Sequence, residues 1–205
     1  MKRLAVIGAS GHGKVVAEIA ESLGWQSIDF FDSNWPNLKN VSKWPVIGCV
    51  EHYVSFSSEY SGVFVAVGDN FSRARIFQDV ISYSEPVTLV HPSAIISPSV
   101  VLGCGTVVMA GTVINSDSKI DEGCIVNTGV TIDHDCSVKK HSHLSPGAHV
   151  AGGVLIGEQT WIGIGASVKQ CVNIGARVVI GAGAAVVGDI PSDVTAVGVP
   201  ARFKS

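Results

Sequence analysis

This sequence has little charge. Only 15% of its 205 residues are Asp, Glu, Lys or Arg, against 46% hydrophobic. So little charge argues against a disordered, solvated chain. The net charge is −3 and no Lys/Arg block occurs, which argues against nucleic-acid binding through a basic surface. No apolar run approaches the ~20 residues of a membrane-spanning helix, so no membrane insertion is expected. The opening MKRLAVIG is too short for a signal peptide and reads as a first strand. Cysteine is scarce and unpatterned. The five cysteines are odd in number and form no CxxC, which disfavours disulfides and a thiolate zinc site. A reduced, cytoplasmic protein is expected.

Glycine, by contrast, is plentiful at 23, and most of it follows residue 100. That asymmetry marks two regions, expected as residues 1–90 and 91–205. In the second, every sixth residue from Ile96 to Val186 is Ile, Leu or Val. The residue four further on is nearly always small or β-branched, as in Thr106, Thr112, Ser118, Cys124 and Ala148. This period fits neither a helix nor an amphipathic strand. It fits a parallel β-helix, with one strand and one corner per hexad and about 18 residues per triangular coil. Ile96, Ile114, Ile132, Val150, Val168 and Val186 should stack as one inward ladder. Cys124 and Cys136 should be buried small residues rather than reactive thiols. Glycines that follow the aliphatic residue, such as Gly103, Gly157 and Gly175, are expected to ease tight corners.

The first region reads as a small Rossmann-like α/β domain. KRLAVIG runs into Gly8-Ala9-Ser10-Gly11-His12-Gly13 and then a helical VVAEIAESLG. Strands are expected at Ser27–Phe31, Gly62–Gly68 and Val87–Val90, alternating with helices in a parallel sheet. The glycine-rich turn opens a helix whose N-terminal amides suit phosphate oxygens. Asp32 closes the second strand, where an acid can bond ribose or base. The spacing is GxxGxG rather than the dinucleotide GxGxxG, and a turn without ligand stays open. The short region suits a mononucleotide or nucleotide sugar better than NAD. The segment Ser33–Trp44 carries Trp35 and Trp44, either of which fits a base contact or plain packing.

One stretch in the repeat stands out: VNTGVTIDHDC, residues 126–136. Ile132 and Cys136 should point inward, so His134 between them should project outward. Asp133 and Asp135 would favour its imidazolium or orient its ring. In a cleft it has the chemistry of a general base. An ordinary surface histidine explains the same residues.

The ordered series GASGHG, VAVGDNFSRARI, LVHPSAIISPS, VNTGVTIDHDC and a terminal VGVPA resembles bacterial nucleotide-sugar acetyltransferases of the PglD/NeuD type. These belong to the hexapeptide-repeat acyltransferases. The resemblance implies a left-handed β-helix, a homotrimer, and active sites in clefts between prisms. It implies acetyl-CoA as co-substrate and a nucleotide-activated amino sugar as acceptor. His134 would be the catalytic base and Asp135 the acid beside it. Asn127 would lie beside the acceptor. His143, Gly152, Gly198 and Pro200 would meet coenzyme A, with the Gly152 N–H facing the thioester oxygen. Gly11, His12, Gly13, Asp32, Gly68 and Asn70 would hold the nucleotide sugar. A 4-amino-4,6-dideoxy sugar is favoured, on UDP ahead of dTDP or GDP, for surface glycan biosynthesis.

Four other readings compete with this one. Sugar or sialic acid O-acetylation would use the same base. A non-catalytic β-helix scaffold would ignore loss of His134. His134, His141, His143 and His149 also invite a metal, as in γ-type carbonic anhydrases, but their spacing does not match that family's histidine pair. No metal is expected, and His141 and His149 are expected to be exposed. An NAD-dependent role lacks a nicotinamide pocket.

Overall fold

The structure, a computed structural model, describes residues 2–203. The chain divides into two compact units, one ending at Leu89 and the other starting at Val90.

The first unit is a parallel sheet with helices. In chain order its elements are β1 (Arg3–Ile7), α1 (Gly11–Ser22), β2 (Ser27–Phe31), β3 (Asn40–Val41), β4 (Trp44–Gly48), α2 (Val50–Phe56), β5 (Gly62–Val65) and α3 (Asn70–Ile81). The sheet order is β3-β4-β2-β1-β5. β1 is an inner strand and pairs in parallel with both β2 and β5. That position buries both its faces, so RLAVI is continuously apolar after Arg3 rather than alternating. The chain moves outward from β1 to β2 and β4, then returns to β5 on the other side of β1. The carboxyl ends of β1 and β5 therefore flank the point where strand order reverses, the usual ligand crevice of such sheets.

Two strand expectations change. β4 was not foreseen, because Pro45 and Gly48 disguise WPVIG; its residues alternate buried and exposed, and it tolerates Pro45 at an exposed position. Of Val87–Val90, only Leu89–Val90 is a strand, and it is not part of the α/β sheet.

The second unit is a left-handed parallel β-helix. Two-residue strands recur along three sheets, and partners lie 18 residues apart. The pairings Ile96–Ile114, Ile114–Ile132, Ile132–Val150, Val150–Val168 and Val168–Val186 reproduce the expected ladder. From Ile114 onward these side chains are essentially buried, each worth roughly 1.5–3 kcal/mol of burial.

The polar residues at the second inward position have a shared solution. Thr112, Ser118, Ser142 and Thr160 each donate a hydroxyl to a corner carbonyl 15 residues on, at 2.7–3.0 Å. Cys124 and Cys136 occupy the same position, and their thiols lie 3.2 Å from the Lys139 and Ala151 carbonyls. They stand in for Ser or Thr, as buried small residues.

The glycines that follow the aliphatic position sit where no Cβ fits, as expected, though their backbone is not left-handed. A Cβ on Gly157 would meet the Gly175 carbonyl carbon, and one on Gly163 would lie 2.5 Å from the Ile180 oxygen. Coil-on-coil approach excludes the side chain. The left-handed backbone sits three residues after the aliphatic position instead, at Gly105, Gly129, Asp117 and Asp135 among others.

Candidate active site: two half-sites on the prism and a cavity in the first unit

His134 occupies the corner after the strand Thr131–Ile132. Its inward neighbours Ile132 and Cys136 are buried, and its own side chain is 59% exposed. Asp135 follows with φ 59°, a conformation that Asp tolerates better than most residues. This turn brings Asp135 Oδ2 to 2.8 Å from His134 Nδ1. A carboxylate accepts, so Nδ1 carries the proton and the neutral ring has its lone pair on Nε2. The hydrogen bond to Asp135, followed by the charge of Asp133, raises the His134 pKa above the usual imidazole value.

Gly152 lies beneath this ring, one coil on. A Cβ there would lie 2.7 Å from both Cε1 and Nε2 of His134. No positive φ is involved, so the ring itself is what excludes a side chain. Gly152 thus has a structural reason that the sequence did not reveal.

Asn127 and His143 form a second group. Thr128 N–H donates to Asn127 Oδ1 at 2.8 Å. The amide nitrogen then faces His143 Nε2 at 3.2 Å and donates to it. His143 Nε2 is therefore an acceptor, and the proton of the neutral ring is on Nδ1. His143 is buried and packs on Trp161, with ring centroids 4.3 Å apart. Together with Ser145, Pro146, Ile164, Val179 and Ala182 they line an apolar groove of about 490 Å³. Trp161 was missed in the sequence, though it stands 18 residues beyond His143 in the same register.

The structure does not bring the two groups together. His134 and Gly152 belong to one corner, whereas His143 lies in the strand His143–Leu144 on another sheet and Asn127 directly follows the strand Ile125–Val126 that pairs with it. Gly198 and Pro200 follow the strand Thr195–Val197, which continues the sheet of His143 and Trp161. The Gly198 carbonyl accepts from Ala185 N–H at 3.1 Å.

His149 is exposed, with Nδ1 2.8 Å from Thr131 Oγ1. His141 is not exposed as expected: it is buried against Gly123, at φ 55°. Among the described residues no three His, Cys, Asp or Glu side chains converge to hold a metal.

In the first unit a cavity of about 1000 Å³ opens at the strand ends. Gly8, Ser10, Asp32, Trp35, Glu51, His52, Gly68 and Arg75 are among its lining residues. Asp32 is already engaged: Oδ2 accepts Ala9 N–H at 2.8 Å and Oδ1 accepts Asn34 N–H at 2.9 Å. It ties the glycine-rich turn to the loop after β2. Gly13 is buried so closely that a Cβ there would strike the Gly8 oxygen and crowd Phe30 at 2.9 Å. Gly11 has open space around it. Burial and nearby Arg73 push the His12 imidazole down to about 4, so it is neutral. Asn70 is buried and accepts from Arg73 Nη2 at 2.8 Å, while Arg73 also holds the Val67 and Gly68 carbonyls. The two tryptophans part ways. Trp35 lines the cavity edge-on to His52, and Trp44 is core against Phe30 with its Nε1–H on Glu21.

Comparison with known proteins decides the family. The PglD N-terminal domain family model matches residues 3–80. The acetyltransferase domain of PglB from Neisseria gonorrhoeae FA1090, solved with acetyl coenzyme A, is 43% identical, with 99% of each chain covered and a TM-score of 0.95. The chain belongs to the PglD-type nucleotide-sugar acetyltransferases. PerB from Caulobacter crescentus, solved with CoA and GDP-perosamine, is 39% identical over 100% of this chain and 98% of its own, at a TM-score of 0.95. WeeI from Acinetobacter baumannii AYE is 25% identical over the whole of both chains, at a TM-score of 0.91. As a PglD-type protein the chain is an acyltransferase with acetyl-CoA as co-substrate.

Proposed function

We propose that this PglD-type protein N-acetylates a nucleotide-linked 4-amino-4,6-dideoxy sugar, using acetyl-CoA, in the cytoplasm and for surface glycan biosynthesis. The observation that carries the reading is His134: exposed, with Nδ1–H fixed by Asp135 and Nε2 left as the basic atom. The strand-end cavity, with Gly68 and Asp32 in its wall, suits the nucleotide, and Gly11, His12, Gly13 and Asn70 support the loops around it. The apolar groove beside His143 and Trp161 suits coenzyme A, with Gly198 and Pro200 on the same sheet.

An amine attacks an acetyl carbon only when neutral. His134 Nε2 removes its proton as the new C–N bond forms; the acyl C–S bond then breaks, coenzyme A leaves as the thiolate, and that sulfur takes the proton back from His134. The Gly152 N–H stabilises the oxygen that gains charge. Both substrates meet in one place, so no acyl-enzyme is required.

The two half-sites lie on different sheets of one prism, so a complete site needs a second copy. A homotrimer with one cleft per interface supplies it: His134 and Gly152 from one copy, and Asn127 and His143 from its neighbour.

The test is a panel of UDP-, dTDP- and GDP-linked 4-amino sugars with acetyl-CoA, read by thiol release. UDP is the carrier favoured from the family resemblance, while PerB was solved with GDP-perosamine. The expected result is turnover with one carrier and a product stable to mild alkali, as an amide is. An alkali-labile product would mean O-acetylation, and no turnover with any carrier would leave the scaffold reading.

A further inference from the structure

Two carboxylates flank His134, and they do different things. Asp135 holds the ring. Asp133 does not touch the ring nitrogens; its Oδ1 accepts the His134 backbone N–H at 2.9 Å. The same oxygen accepts Asn115 Nδ2, also at 2.9 Å. Asn115 stands one coil earlier, 18 residues back, where Val113–Ile114 pairs with Thr131–Ile132. The ladder therefore sets Asn115 directly beside Asp133, and two donors pin one carboxylate oxygen.

We propose that Asn115 is a positioning residue, which fixes the Asp133 carboxylate so that its charge bears on the His134 base. This rests on the reading of His134 as the base. Two features support it. The Asp133 carboxyl is held below its usual range, first by Asn115 and then by the His134 N–H. The Asp133 charge also ranks second, after the Asp135 hydrogen bond, in raising the His134 pKa. From the coil after, His149 lines one hollow with Asn115, Thr131 and Asp133, its Nδ1 2.8 Å from Thr131 Oγ1. Asn115, Ser116 and Asp117 come from the coil before, and Ala151, Gly152 and Gly153 from the coil after. Of these only Asp117 is charged, and its backbone N–H is bound to Ser99 Oγ at 2.9 Å.

The test is an NMR titration of the His134 ring in the full-length protein, beside the pH profile of thiol release. The variants are Asn115→Leu, Asn115→Ser, Asp133→Asn and the Asn115→Leu/Asp133→Asn pair. Removing the charge in Asp133→Asn should weaken proton binding by His134 about twofold to fourfold, a modest change because the site is wet. Asn115→Leu and Asn115→Ser should shift it the same way by less, with the acid limb of kcat/KM moving to lower pH and KM for both substrates unchanged. In the Asp133→Asn background, Asn115→Leu should add nothing, because contacts that act through one partner are not additive.

Native turnover with an unmoved His134 titration in both Asn115 variants overturns this inference alone. So does a further shift from Asn115→Leu in the Asp133→Asn background. No turnover by the native protein with any carrier overturns the enzymatic reading, and the positioning role of Asn115 with it.

Discussion

The prism places its candidate site residues by repetition, and the α/β unit holds its own by individual bonds. His134 points outward because Ile132 and Cys136 on either side are locked inward, and the same rule places His143 and Trp161. Outer positions of such a coil can change without disturbing the ladder beneath. Around the cavity of the α/β unit each group has its own tether: Asp32 holds Ala9 and Asn34, and Arg73 holds Val67, Gly68 and Asn70. There a side chain cannot be lost without loosening a loop. Chemistry and stability should be separable on the prism and coupled in the first unit.

The largest effect should come from His134→Ala, with kcat down by at least ~100-fold and an unchanged melting temperature. Activity of the native protein should fall as pH drops through the raised His134 pKa, because protonation removes the Nε2 lone pair. The acid limb should therefore lie above the ordinary imidazole value of 6.5. Comparable turnover by His134→Ala would remove the proposed base.

Next comes Gly152→Ala. Its Cβ would displace the His134 ring, lowering kcat about 10–100-fold while the fold survives. A crystal structure of the variant should show the ring rotated off the Asp135 contact. An unmoved ring would mean that the coil yields instead.

Asp32→Ala should break the pattern of the prism. Loss of its two backbone N–H partners should cost about 1–2 kcal/mol of stability, seen as a lower midpoint in urea. It should also raise KM for the nucleotide sugar several-fold. A change in KM with no change in stability would show that the two regions do not differ as described.

The smallest effect should be Cys136→Ser. A hydroxyl can make the same bond to the Ala151 carbonyl, as Ser118 does to Asp133, so stability should move by less than about 1 kcal/mol. A greater loss would show that sulfur packing, rather than the shared corner bond, is what that position requires.

Most of the prism could be read from its sequence because a strict period fixes direction. Once Ile132 is inward, the outward place of His134 follows, and so does the register of Ile114 on Ile132. What could not be read was anything that depends on the neighbouring coil. The room that Gly152 leaves for the His134 ring, the pairing of Asn127 with His143, and the burial of His141 all involve residues 16–18 positions away. In the first unit the glycine-rich turn and Asp32 were visible as types, but their tethers were not. Trp35 and Trp44 differ only in context, one at the cavity and one in the core. Glu51, His52 and Arg75 in the cavity wall gave no signal, since isolated polar residues on α2 and α3 read as solvated surface.

The central claim is that His134 of one copy works against the groove wall of another. Ala182→Trp would plug that groove, and His134→Ala removes the base; each variant alone should be inactive. Co-assembled in equal amounts from the unfolded chains, the pair should recover about a quarter of native thiol release, the share of interfaces that join two intact halves in a randomly mixed trimer. No recovery, in a sample shown by mass to contain mixed trimers, would contradict a site shared between copies.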